Sequence, residues 1–254
     1  LQRANVTLAV APYQYEDRAV EAILARPSDS GVHPGLVLVP GYMRSAWDIF
    51  PLLVGFARGG YVCLAVTQPG FGHSEGPPDF AGPRTVATVQ AGLELLSRSP
   101  EIDSSRMGVY GYSRGAMVAG MLAVRSSRVK AAILGGGIYD LGKAYEELQI
   151  EGIGKNIEVE AGTDEEAFRV RSLVFSADSL TCPVLIVHGE LDRNAPVSQA
   201  YLLGDSLKAL GKDYDILILP DRDHGLRFDD FREAALAFLE KHLTTRTQTT
   251  EPEP

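Results

Sequence analysis

Continuous apolar runs recur along the chain at residues 36–39 (Leu-Val-Leu-Val), 61–66, 131–134 and 183–187 (Pro-Val-Leu-Ile-Val). Runs without polar alternation suit strands buried on both faces. Helical spacing replaces them at residues 46–58, which place Trp47, Phe50, Leu53, Val54 and Ala57 inward, and at residues 85–97, with Val86, Val89, Leu93 and Leu96. A strand entered at Ile102 leads into a small-residue helix that begins near Arg114, and the last third repeats the rhythm with helix 197–210, strand 215–219 and helix 229–242. Residues 4–11 and 19–26 alternate partially around a polar turn and predict an antiparallel pair at a sheet edge. The whole pattern predicts an α/β fold with a mostly parallel sheet of about eight strands and helices on both faces.

Residues 139–181 break the alternation. Two helices are predicted there, 140–150 and 165–173, the second opened by a capping arrangement of Thr163 with Glu166, and no apolar strand separates them. Such an insertion between core strands is a candidate lid. The predicted organisation is a core of residues 1–138 and 182–243, a helical lid at 139–181, and a disordered tail at 244–254, whose Thr, Pro and Glu residues have nothing to bury.

Composition narrows the function. The 254 residues are 45% hydrophobic, ample for one large core, and no stretch approaches the roughly 18 apolar residues of a membrane span. A soluble protein is expected; nothing at the visible N-terminus resembles a signal peptide, and the compartment is left open between cytoplasm, slightly favoured, and secretion. A net charge of −9 without a Lys/Arg cluster argues against a nucleic-acid partner. Cys63 and Cys182 read as buried small hydrophobes. No pair of histidines has metal-ligand spacing, and Gly70-Phe-Gly72 and Gly135-Gly-Gly137 precede no helix, so neither a metal nor a dinucleotide cofactor is expected. Oligomeric state has no signature in the sequence.

The chemistry centres on Gly108-Val-Tyr-Gly-Tyr-Ser-Arg-Gly-Ala116, a strand, a sharp turn and a helix with Ser113 at the turn and Gly111 and Gly115 two residues to either side. A serine hydroxyl needs a base, and the base an orienting acid. Asp192 follows the strand ending at Val187 and His224 follows the strand ending at Leu219, in the order Ser, Asp, His. Glu190, His188 and His73 are set aside, the first as a solvated carboxylate and the histidines as loop-packing residues.

These residues carry a resemblance. Gly111-Tyr-Ser-Arg-Gly115, Pro183-Val-Leu-Ile-Val-His-Gly-Glu-Leu-Asp192 and Asp223-His-Gly225 resemble the nucleophile, acid and base segments of α/β-hydrolases, in particular the prolyl-oligopeptidase-like and dienelactone-hydrolase-like serine hydrolases. The resemblance implies the α/β-hydrolase fold, with Ser113 as nucleophile, His224 as base and Asp192 as its partner. It also implies an oxyanion hole from the backbone N–H groups of Tyr42 and Arg114, with Arg114 at a helix start where free N–H groups favour negative charge. Arg44 is a candidate substrate contact, and Arg114 a second cation near it. The chain departs from the pattern at Pro40-Gly41, where many relatives carry His-Gly, and at Thr67 and Pro69, where Asp and Arg are usual. Serine where dienelactone relatives use cysteine points to a small ester or amide substrate. With no large additional domain in the sequence, the expected activity is carboxylic-ester hydrolysis through an acyl-enzyme. The alternatives are a small-peptide or amide hydrolase and a noncatalytic ligand-binding protein.

Overall fold

The apolar runs at 36–39 and 62–66 lie side by side near the middle of a nine-stranded sheet in the computed structural model, which describes residues 2–3, 5–147 and 151–243. In chain order the strands are β1 (Gln2–Arg3), β2 (Val6–Val10), β3 (Tyr13–Tyr15), β4 (Arg18–Val20), β5 (Ala22–Pro27), β6 (His33–Val39), β7 (Val62–Val66), β8 (Ile102–Tyr112), β9 (Val129–Gly135), β10 (Val184–Gly189) and β11 (Tyr214–Leu219). The large sheet runs β1-β2-β5-β7-β6-β8-β9-β10-β11. From β7 to β11 every pairing is parallel. The edge pair is β2 against β5, antiparallel as the alternation predicts, with β1 added outside it as a ninth strand. A separate hairpin of β3 and β4 turns through Glu16 and Asp17, both at positive φ, and Tyr13 Oη donates to the Thr88 carbonyl at 2.7 Å to hold it on the helix layer.

Helices cover both faces, as expected of the α/β-hydrolase fold. On one face α2 (Pro83–Ser97), α3 (Arg114–Arg125) and α7 (Ser198–Ala209) bury Val86, Val89, Leu93, Leu122, Leu203 and Leu207. On the other, α1 (Phe50–Arg58) and α8 (Phe228–Leu243) bury Leu53, Phe56, Phe231, Phe238 and Leu239. Each such large side chain removed from water contributes about 1.5–3 kcal/mol, so α8 is anchored by its inward residues rather than by helix propensity. Among the described residues no helix is long and apolar enough to cross a membrane.

Several local expectations are corrected. The helix predicted from residue 46 starts at Phe50, because Asp48 Oδ2 accepts hydrogen bonds from Ser45 N at 2.7 Å and Ser45 Oγ at 2.9 Å and closes a turn instead. Trp47 lies in that turn and is exposed, not inward. Between β9 and β10 lie α4 (Leu141–Glu147), α5 (Glu151–Glu160) and α6 (Glu165–Arg169), followed by two short 3-10 turns. Helix α5 is unforeseen, since Gly152 and Gly154 disguise it, yet Ile157 is fully buried on the core. The cap of α6 is Asp164, whose Oδ1 accepts from Ala167 N at 2.8 Å, and not Thr163 with Glu166. The end of the helix predicted to residue 150 and the tail at 244–254 lie outside the described residues.

Gly189 closes β10 where that strand passes under the loop after β11: a Cβ there would lie 2.4 Å from both the Arg222 and the Asp223 carbonyl oxygens. Overpacking against backbone costs about 1–3 kcal/mol. Gly189→Ala is therefore expected to lower the melting temperature by about 3 °C or more, since about 2–4 °C accompanies each kcal/mol in a domain of this size. Gly154→Ala in α5, where an added Cβ would meet only Tyr145 Cε2 at 3.9 Å, is expected to hold or raise it. Thermal melts of the two variants beside the parent check both signs.

Candidate active site

Strand β8 delivers Ser113 at its end with φ 55° and ψ −123°, a left-handed conformation that L residues avoid, and α3 begins at the next residue. Two glycines make this possible. A Cβ at Gly111 would fall 2.0 Å from the Gly115 carbonyl oxygen, and one at Gly115 would fall 2.1 Å from the Val39 carbonyl oxygen. The turn is thus pressed against the end of β6, and the Ser113 hydroxyl projects from the carboxyl ends of the strands.

The loops after β10 and β11 bring the other two predicted residues to it. His224 Nε2 lies 2.9 Å from Ser113 Oγ, and His224 Nδ1 lies 2.7 Å from Asp192 Oδ2. Asp192 Oδ1 accepts from the N–H groups of Asn194 and Ala195, each at 2.9 Å. His188, fully buried, places Nε2 2.7 Å from the Ala195 carbonyl and 3.5 Å from Asp192 Oδ2. Burial opposes the charge on Asp192, but hydrogen bonds from His188, His224 and the Ala195 backbone outweigh it and hold the carboxyl far below the usual carboxylate range. Tyr112, the residue before the serine, donates its hydroxyl to the His224 carbonyl and stacks obliquely beside the imidazole at 5.3 Å. A neutral imidazole between an ionised carboxylate and a hydroxyl can take the hydroxyl proton as the oxygen attacks a carbonyl.

The turn after β6 carries Gly41, Tyr42 and Arg44. Thr67, one of the departures from the family pattern, braces this turn. Thr67 Oγ1 accepts from Ala46 N at 2.8 Å and donates to the buried Glu21 Oε1 at 2.6 Å, while Gln68 Nε2 donates to the Pro40 carbonyl at 2.6 Å. Tyr42, Arg44 and Arg114 all line a cavity of about 300 Å³ that opens on Ser113 and His224, with Phe80, Met117, Ile138 and Ile153 as its apolar wall. The two candidate cations differ. Arg44 is exposed and weakly paired with Asp48 at 3.4 Å, so its charge faces the cavity mouth. Arg114 is buried, its Nη1 2.5 Å from Glu160 Oε2, and burial lowers its pKa while Glu160 pulls the other way.

Glu190 is exposed, as expected. His188 is packed, but His73 is not: its side chain is 91% exposed. Glu21, Phe80 and Glu160 escape sequence reasoning, since each is bonded to a partner distant in the chain, and Asn156 escapes it because it reaches the cavity from the unforeseen helix α5. Among the described residues no group of three or more His, Cys, Asp or Glu side chains converges as a metal site would require.

A depressed Asp192 pKa carries a sign for stability. The group is ionised in the folded protein well below its unfolded pKa of about 3.9, so its contribution is complete at neutral pH and is lost as pH falls through and below that value. Asp192→Asn is expected to melt below the parent at pH 7, with the gap constant down to about pH 5 and narrowing from there towards pH 3. Melting curves of both proteins across that interval check it; a gap that widens in acid would contradict it.

Comparison with known proteins agrees with this geometry. Residues 80–248 match the model of the prolyl oligopeptidase family, and residues 4–154 match that of the X-Pro dipeptidyl-peptidase family. The uncharacterized peptidase YtmA of Bacillus subtilis is 29% identical over 214 residues, covering 82% of each chain. A second protein of that organism, the uncharacterized peptidase YuxL, is 30% identical over 157 residues, which are 58% of this chain and 23% of that one. In structure, the acylaminoacyl peptidase of Pyrococcus horikoshii superposes with a TM-score of 0.81 at 22% identity, covering 94% of this chain and 42% of the other. The chain thus spans most of one relative and under half of the longer ones. The shared region holds the strand ends, the serine turn and both loops described above, and the chain belongs to the prolyl oligopeptidase family of serine hydrolases.

Proposed function

We propose that the chain hydrolyses small peptides or aminoacyl amides through an acyl-enzyme, with Ser113 as nucleophile, His224 as general base and Asp192 as its orienting partner. The single observation that supports the mechanism is the relay of 2.9 and 2.7 Å from Ser113 Oγ through His224 to Asp192. Ser113 Oγ attacks the scissile carbonyl as its proton passes to His224 Nε2. The negative oxygen that forms is held by the N–H groups of Tyr42 and Arg114, each such donor lowering the barrier by about 3 kcal/mol. His224 returns the proton to the leaving amine, and water then repeats the sequence on the acyl-serine. Residues 139–181 cap the acyl side of the pocket through Ile153 and Asn156 of α5, on a core of residues 1–138 and 182–243. Arg44 is placed to meet a carbonyl or carboxylate at the mouth.

The preference for amides over esters reverses the expectation from sequence. That expectation rested on the absence of a large extra domain. YtmA, of which the chain covers 82%, carries the name of a peptidase at a similar size, so size does not separate the two activities. Esters remain chemically competent substrates, because the same acyl-enzyme forms from either.

A fluorophosphonate probe is expected to label the parent at Ser113 and to leave Ser113→Ala unlabelled. Turnover of blocked peptidyl 4-nitroanilides is expected to fall by about 10⁴-fold or more in that variant. Equal labelling of both proteins would defeat the mechanism. Hydrolysis of simple alkyl esters with no turnover across an anilide panel would defeat the peptidase reading and leave the serine hydrolase standing.

A further inference from the structure

Glu160 breaks two local rules. It is a carboxylate on the last residue of α5, the end where the helix dipole disfavours negative charge, and its side chain is only 8% exposed. What it gains lies across the site. Its Oε2 accepts from Arg114 Nη1 at 2.5 Å and from the Phe80 N–H at 3.1 Å. The Arg114 guanidinium, 4% exposed, is sandwiched between the rings of Tyr42 at 4.2 Å and Phe80 at 4.1 Å, and Tyr42 meets Phe71 edge-on at 5.4 Å. Phe80 and Ala81 are both held at positive φ, 47° and 57°, and the preceding Asp79 carbonyl is gripped by Arg171 through Nε at 3.2 Å and Nη2 at 3.1 Å. Strain of this kind persists only where surrounding contacts over-determine it. One buried cation therefore ties together the turn after β6, the residue after Ser113, the loop before α2 and the end of α5.

Tyr42 and Arg114 are also the two residues whose backbone N–H groups face the developing oxyanion in the proposed mechanism. We propose that Glu160 is a positioning residue for that oxyanion hole: by fixing the Arg114 guanidinium against the Tyr42 ring it sets the separation of the two donors, so that full turnover requires α5 to be docked. The inference rests on the reading of Tyr42 and Arg114 as oxyanion donors. It also explains the fate of the second candidate cation. Arg114 is neutralised by Glu160 and is not free to hold an anionic substrate group, which leaves a wall without net charge on that side of the pocket.

The test compares the parent, Glu160→Gln, Glu160→Ala and the double variant Glu160→Leu with Arg114→Met. Active sites are counted by fluorophosphonate titration, and kcat and KM per titrated site are measured with 4-nitrophenyl butyrate, beside thermal melts. Misplaced donors predict a kcat lowered about tenfold in Glu160→Gln and up to about a hundredfold in Glu160→Ala, with KM changed by less than about threefold. The double variant removes both charges together and so keeps the fold where a single charge left alone would not. Its kcat is expected to be as low as that of Glu160→Ala, and no lower, because one device is removed in both. A pair that only stabilises the fold would shift the melting temperature and leave kcat per titrated site at the parent value. That result in Glu160→Gln or in the double variant overturns the inference. A parent protein that Ser113 labelling fails to titrate at all would instead defeat the reading of the site on which the inference stands.

Discussion

Ser113 sits in a backbone conformation that costs on the order of 1–3 kcal/mol, and three chain segments crowd together to hold it there. The crowding is read directly from its glycines. Side chains at Gly111 and Gly115 would collide with the Gly115 and Val39 carbonyls, and one at Gly41 would approach Ser113 Cβ to 3.2 Å. The end of β8, the start of α3 and the turn after β6 consequently share one small volume. That contact does two things at once. It lifts the hydroxyl above the sheet and brings the Tyr42 turn beside it, so candidate nucleophile and candidate oxyanion donors are products of one packing constraint. The strain is offset by β8 itself, whose Met107, Val109 and Tyr110 are buried between both helix layers.

Three of the buried carboxylates, Glu21, Glu160 and Asp192, differ in their partners. Glu21 is met by the Thr67 hydroxyl and by the His73 N–H, and it braces the loop behind Tyr42. Glu160 faces a permanent cation, so its interaction is the same before and during any reaction. Glu21 has the exposed His73 ring 4.0 Å away, but Asp192 is the one hydrogen-bonded to the imidazole that also reaches Ser113. A neutral His224 gives it a hydrogen bond of ordinary strength, whereas a His224 that has just taken the serine proton gives it an ion pair inside a buried site. An interaction that strengthens as charge develops is what lowers a barrier, and the Asp192 environment is the one of the three that has this property.

Much of this was legible in the sequence, for identifiable reasons. The central strands announced themselves because burial on both faces leaves uninterrupted apolar runs such as 36–39 and 183–187. Ser113, Asp192 and His224 were legible because each follows directly on such a run, so that strand position alone places it at one edge of the sheet. What escaped depends on contacts between segments far apart in the chain. Thr67 and Glu21 are 46 residues apart, and Phe80 and Glu160 are 80 apart; neither pairing leaves a local pattern. Turn chemistry defeated the reading at Trp47, where the Ser45 and Asp48 pair competes with the helix. At the start of α6 two adjacent residues, Thr163 and Asp164, are both fit to cap, and only the backbone angles of Asp164 decide between them.

The segment between β9 and β10 stands over the cavity that opens on Ser113. Between those strands α4, α5 and α6 supply cover from within the fold. These helices are not loosely attached: Leu141, Ala144 and Ile157 belong to the same buried cluster as β8 and β9. Ile153 and Asn156 then stand over the cavity from a firmly seated base. A volume of about 300 Å³ lies at the low end for small-molecule sites, enough for one or two residues around a scissile bond and too little for an extended chain. Under the proposed mechanism, selectivity for small acyl groups follows from that seated cover. The same seating is what allows a residue of α5 to reach Arg114, so the element that stands over the cavity is also the one that touches the residue after Ser113.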